Sequence, residues 1–193
     1  ERVVNAVTEV FPNADYEQWE TCDRLISQAL AAIQLLADYG IKSETAALLF
    51  TRTGYYFNQK GLYSEAEPLY QQALALHREL LGDRHPKVAT SLNNLALLYY
   101  NQGRYEAAEP LYQQALALYR ELLGDRHPQV ALSLNNLAAL YDAQGRYEAA
   151  EPLYQQALAL HRELLGDRHP KVATSLNNLA LLYYNQEIGR AHV

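Results

Sequence analysis

LNNLALLYYNQGRYEAAEPLYQQALALYRELLGDRHP, residues 92–128, returns as LNNLAALYDAQGRYEAAEPLYQQALALHRELLGDRHP from Leu134. Its first part returns again as LNNLALLYYNQ from Leu176, and a worn copy, FTRTGYYFNQKGLYSEAEPLYQQALALHRELLGDRHP, begins at Phe50. Matching residues stand 42 apart, as in Gly61, Gly103 and Gly145, or His85, His127 and His169. A fixed period of that length marks stacked repeats, each burying its apolar face against its neighbours rather than around one centre. Residues 66–102 are identical to 150–186, the trace of a recently duplicated two-repeat unit.

Each unit reads as two helices. Leu92, Leu95, Ala96 and Tyr99 fall at i, i+3, i+4 and i+7, one face of a helix. Gly103 then suits a left-handed turn, and a second periodic run follows through Tyr105, Ala108, Tyr112, Ala115, Tyr119 and Leu122. Ala96, Ala108 and Ala115 are small where two helices must cross closely, and Tyr99 and Tyr112 fill the space beside them. GDRHP ends the second helix, with Pro128 placed at the first turn of the next. The plan is helix A, tight turn, helix B, short loop, repeated.

Leu-x-x-Leu-Ala-x-x-Tyr, then Gly-x-Tyr, then Ala-x-x-x-Tyr-x-x-Ala-Leu resembles the signature of tetratricopeptide repeats. The 42-residue period with its LNNLA, AEPLYQQAL and GDRHP blocks is similar to the variant in kinesin light chains. The resemblance implies an all-α, right-handed superhelical solenoid of antiparallel helix pairs. It spans residues 44–186, about three and a half repeats. One departure is that no proline closes helix B at the usual place; Arg120 and Glu121 continue it. A HEAT or armadillo array has a similar period, but the glycine and small-residue spacing does not suit it.

Residues 1–43 form a helical lead-in. RVVNAVTEV reads as a short helix stopped by Phe11-Pro12, and residues 12–15 as a turn. A long helix over 16–39 follows, with Cys22, Leu25, Ala29, Leu30, Ile33 and Leu36 as its buried stripe, a degenerate helix B covering the first full repeat. This opening resembles the link ahead of tetratricopeptide arrays in bacterial signalling ATPases of the NB-ARC type, although it carries no catalytic motif. Residues 187–193 break the pattern where Gly-Arg-Tyr-Glu-Ala should follow, and IGRAHV resembles translated sequencing adapter. The chain therefore reads as a fragment with a non-native tail, its last helix A uncovered. Later helices are expected over 45–59, 63–81, 86–102, 105–123, 128–144, 147–165 and 170–186.

A net charge of −6 without a basic stripe argues against nucleic acid. Cys22, the single cysteine, excludes an internal disulfide framework. No apolar run reaches the ~18 residues of a membrane span, and no signal peptide precedes the array. The expectation is a cytoplasmic protein without membrane contact. Phosphate-loop, nucleophile-elbow and zinc-protease motifs are missing, so no enzyme, cofactor or metal is expected. His85, His127 and His169 lie a repeat apart, too far to share an ion, and read as loop or cap residues.

With the Leu92 stripe at 0° and 100° per residue, Thr90, Asn93, Asn94, Leu97, Tyr100 and Asn101 fall at roughly 80–200°. In tetratricopeptide superhelices helix A lines the concave surface, so the resemblance implies that these side chains face a groove. Their equivalents are Leu132, Asn135, Asn136, Ala139, Asp142 and Ala143, then Thr174, Asn177, Asn178, Leu181, Tyr184 and Asn185. The first repeat offers Leu48, Thr51, Arg52, Tyr55, Asn58 and Gln59. An asparagine amide donates and accepts at once, so a column of them can grip an extended peptide backbone, and tyrosines add flat contact area. Kinesin light chains hold acidic peptides with a tryptophan in basic grooves; with only Arg52 positive and Asp142 negative, that specificity does not carry over. The expected function is a scaffold that holds a peptide or protein partner. The alternatives are the ligand-sensing arm of a nucleotide-switched ATPase, and an array that self-associates through its uncapped C-terminal end.

Overall fold

The computed structural model describes residues 2–12 and 18–191. The described residues form α1 (Arg2–Val10), α2 (Trp19–Asp38), α3 (Glu44–Gln59), α4 (Tyr63–Leu81) and α5 (Pro86–Asn101). They continue through α6 (Tyr105–Leu123), α7 (Pro128–Ala143), α8 (Tyr147–Leu165) and α9 (Pro170–Ala191), with no strand. The architecture is an all-α repeat solenoid, in which α3, α5, α7 and α9 are A helices and α4, α6 and α8 are B helices. The chain divides at Leu98 and Tyr99 into two compact units. No described helix is long and apolar enough to cross a membrane.

The boundaries follow from local chemistry. At the A–B turn after α7, Gly145 has φ +73°, its N–H donates to Asp142 O at 2.9 Å, and Arg146 N–H donates to Tyr141 O at 2.8 Å. That pair of bonds is the Schellman closure, which a side chain at Gly145 would strain. At the start of α7, His127 is extended, and its Nδ1 accepts from Gln129 N at 3.1 Å, with Pro128 next in the helix. His85 and His169 cap α5 and α9 in the same way. An imidazole here does the work usually given to serine or aspartate.

In the second unit, Ala138 on α7 and Ala150 and Ala157 on α8 are all fully buried, and Tyr154 fills the space beside them. The first unit uses glycine at the position of Ala138: a Cβ on Gly54 would stand 3.2 Å from the Tyr70 ring. Close contact between A and B helices therefore sets which small residue each repeat tolerates.

Two expectations change. In α2, Cys22, Ala29, Ala32 and Leu36 form the buried stripe, whereas Leu30 is exposed; Leu30 lies about 100° round from Ala29. Ahead of it, α1 packs on both α2 and α3. Finally, α9 runs to Ala191 instead of stopping at 186, because Glu187 replaces the glycine that turns the chain after Gln102 and Gln144. The part of the expected turn and helix that falls on residues 13–17 lies outside the described residues.

Candidate functional site

Within the first unit, a cleft of about 460 Å³ opens between α3 and α5. Leu48 and Thr51 form one wall, Thr90 and Asn94 the other, and His77 of α4 lies with Ser91 at the boundary. Glu44 and Lys87 form an ion pair at its edge, and the Lys87 ammonium holds the Glu44 carboxyl below the usual carboxylate range. Thr51 Oγ1 donates back to Ala47 O at 2.8 Å, and Thr90 Oγ1 to Pro86 O at 3.1 Å. Their methyl groups and Leu48 leave the walls largely apolar. The half-buried Asn94 amide makes no hydrogen bond among the described residues.

His77 is buried, with Nδ1 2.7 Å from Ser91 Oγ. Burial first, and the Lys87 charge second, push its pKa down, so the neutral ring is favoured. A second cleft of about 350 Å³ lies between α1 and α3, sharing Thr45 and Leu48 with the first. Arg52 reaches into it, and its Nη1 donates to Thr8 O at 2.6 Å and Phe11 O at 3.0 Å. The guanidinium thereby caps the carbonyl end of α1. Its expected role as a free groove charge gives way to a structural one, because α1 supplies acceptors that the repeat pattern could not reveal.

The second unit treats the same face differently. Asn178 Nδ2 of α9 donates to Asn135 Oδ1 of α7 at 2.9 Å, and Asn185 Nδ2 donates to Asp142 Oδ1 at 3.3 Å. Position by position, Asn135 corresponds to Thr51 and Asn178 to Asn94. Leu132, His161, Lys171, Thr174 and Ser175 repeat Leu48, His77, Lys87, Thr90 and Ser91, and His161 Nδ1 lies 2.8 Å from Ser175 Oγ. Two similar sets of walls thus differ in a bridging amide, Asn135 against Thr51, and in Pro128 and Gln129 against Glu44 and Thr45. A larger hollow, about 550 Å³, lies at the turns beside Arg104, Glu106 and Gln144, away from this ladder.

The other expected lining residues divide by depth. Asn93 is buried, whereas Tyr55, Leu97, Tyr100 and Asn136 are half-buried. Asn101, Asn177, Leu181 and Tyr184 are exposed. The Tyr100 ring lies 5.7 Å from that of Tyr105, and burial raises its hydroxyl pKa. Asn58, placed at the edge of the expected arc, instead turns inward and is 4 % exposed. His77, Ser91, Glu44 and Lys87 were not expected in the lining, yet the recurrence of the histidine, serine and lysine beside the ladder was a usable signal. No group of three potential metal ligands occurs among the described residues. The expected loop histidines are helix caps, and Arg78, Arg120 and Arg162 pair with Asp83, Asp125 and Asp167 at 3.2–3.3 Å.

A tetratricopeptide repeat family model matches residues 44–121, 92–163 and 143–191. No curated protein sequence matches the chain significantly. Among solved structures it is similar to a putative kinesin light chain from Podosopora anserina with nearly identical TPR-like repeats. That match has 22% identity and a TM-score of 0.74, covering 98% of this chain and 88% of that one. It is also similar to BtubC (BKLC) from P. vanneervenii, at 22% identity and a TM-score of 0.68, covering 95% of this chain and 83% of that one. A Rap protein complexed with competence and sporulation factor matches at 17% identity and a TM-score of 0.67, covering 99% of this chain and 56% of that one. At these identities the likenesses show the fold.

Proposed function

The chain belongs to the tetratricopeptide repeat family, and from that premise we propose that it is a scaffold holding a peptide or protein segment on its A-helix face. The observation that carries this reading is the open cleft between α3 and α5, with apolar walls at Leu48, Thr51 and Thr90 and the uncommitted Asn94 amide. Such a site offers both requirements of peptide recognition: area for a side chain, and a donor–acceptor pair for a backbone. The Rap protein of the same fold, complexed with competence and sporulation factor, supports the reading by analogy. Asn135, Asn178, Asp142 and Asn185, bonded to each other, hold adjacent A helices and take the supporting role.

The test is selection of a binding peptide from a displayed library, followed by affinity measurements on point variants. Leu48→Asp and Asn94→Ala should each weaken binding about tenfold or more, whereas Leu132→Asp and Asn178→Ala should change it little. Equal losses in both pairs, or none in the first, would remove the α3–α5 cleft as the site.

A further inference from the structure

The two unit faces carry nearly the same lining two repeats apart, and in one of them the facing amides are bonded to each other. In the second unit the Asn135 carboxamide of α7 accepts from Asn178 of α9. In the first unit the corresponding residue is Thr51. Its side chain carries no amide, its hydroxyl is spent on Ala47 O, and it makes no hydrogen bond to Asn94. The Asn94 amide is left without a bond, beside a cleft.

We propose that Thr51 is the residue that decides where a ligand amide can enter the A-helix face, and that Asn135 is the chain's own stand-in for that ligand between α7 and α9. A carboxamide is the same chemical group as a peptide unit, with one carbonyl acceptor and N–H donors in a plane. The Asn135–Asn178 bond therefore displays the contact that a ligand amide makes with Asn94. Leu48 and the Thr90 methyl flank it, so the group next to the amide is apolar. The ligand class is an amide beside a small apolar substituent, supplied either by a peptide main chain or by an asparagine or glutamine side chain. This inference rests on the scaffold reading above and adds to it the residue that sets the position of entry.

Both substitutions needed for a test already occur at equivalent places in this chain, so the fold accommodates them. The full chain, Thr51→Asn and Asn135→Thr would be titrated with N-acetyl-alanine-N′-methylamide, a main-chain amide probe, and with propionamide, a side-chain amide probe. The readout is the side-chain amide NMR signals of Asn94 and Asn178, with circular dichroism confirming helicity. In the unaltered chain, Asn94 should shift saturably and Asn178 should not. Thr51→Asn should abolish the Asn94 response, or weaken it about tenfold, and slow the exchange of its amide protons. Asn135→Thr should make Asn178 responsive. A stronger response to the first probe assigns the amide to a main chain, and a stronger response to the second to a side chain. An Asn94 response that survives Thr51→Asn unchanged would overturn the role of Thr51 and leave the scaffold reading standing. No response at Asn94 in the unaltered chain would overturn both.

Discussion

The pair α3 and α5 and the pair α7 and α9 are built from nearly the same residues, yet one pair encloses a cleft and the other a hydrogen bond. Leu48 and Leu132 are almost equally exposed, at 41% and 43%. His77 and His161 each meet a serine, and Thr90 and Thr174 each turn back to a proline carbonyl. What differs is Thr51 against Asn135, with Glu44 and Thr45 against Pro128 and Gln129. Recurrence builds the scaffold, and small departures from recurrence create the place where something else can bind.

The largest effect tests whether the difference is confined to the polar face. Tyr70→Ala and Tyr154→Ala remove equivalent buried rings in the two units, and each should cost about 3 kcal/mol in denaturant unfolding. A loss of that size in one unit only would mean that the packing beneath the two faces differs as well.

A smaller effect should change sign along the array. Ser91 and Ser175 each face a buried histidine, but Ser133 faces the position where Tyr119 replaces histidine. Ser133 Oγ is buried without a hydrogen bond among the described residues. Ser91→Ala and Ser175→Ala should each destabilise by about 1 kcal/mol, whereas Ser133→Ala should stabilise by a similar amount, because an unsatisfied buried hydroxyl costs more than it returns. The same sign for all three, measured by denaturant midpoint at constant slope, would contradict the assignment of these pairs.

The smallest effect is in pH. Burial pushes the pKa of both His77 and His161 below the ordinary value of 6.5, with Lys87 and Lys171 adding to the shift. Below that value the unfolded chain takes up protons that the folded chain refuses, so stability present above about pH 6.5 is lost as pH falls. His77→Tyr with His161→Tyr, the residue that already stands buried at 119, should flatten stability between pH 7 and 5.5. An unaltered slope in that double variant would show that other groups set it. Glu44 and Asp23, held below their usual range by Lys87 and by Tyr56 and Lys60, act in the same direction but at lower pH.

The fold was legible because a 42-residue recurrence states the helix pair several times over. Glycine and proline then mark the boundaries to within a residue or two. The site was legible only as a direction. A helical angle places Asn135 and Asn178 on one face, but not bonded to each other across 43 residues. Arg52 could not be read as a cap before α1 was placed, and Asn58 at the edge of the arc turned inward. Pairwise relations between repeats carry the missing information, and a per-residue angle does not contain them.

The most direct test is NMR of the chain bound to a library-selected peptide, comparing the methyl groups of Leu48 and Leu132. The account predicts intermolecular contacts from the peptide to Leu48 and to the Asn94 amide, with Leu132 and Asn178 silent. Contacts centred on Leu132, or on outer-face residues of α4 such as Gln72, would contradict it.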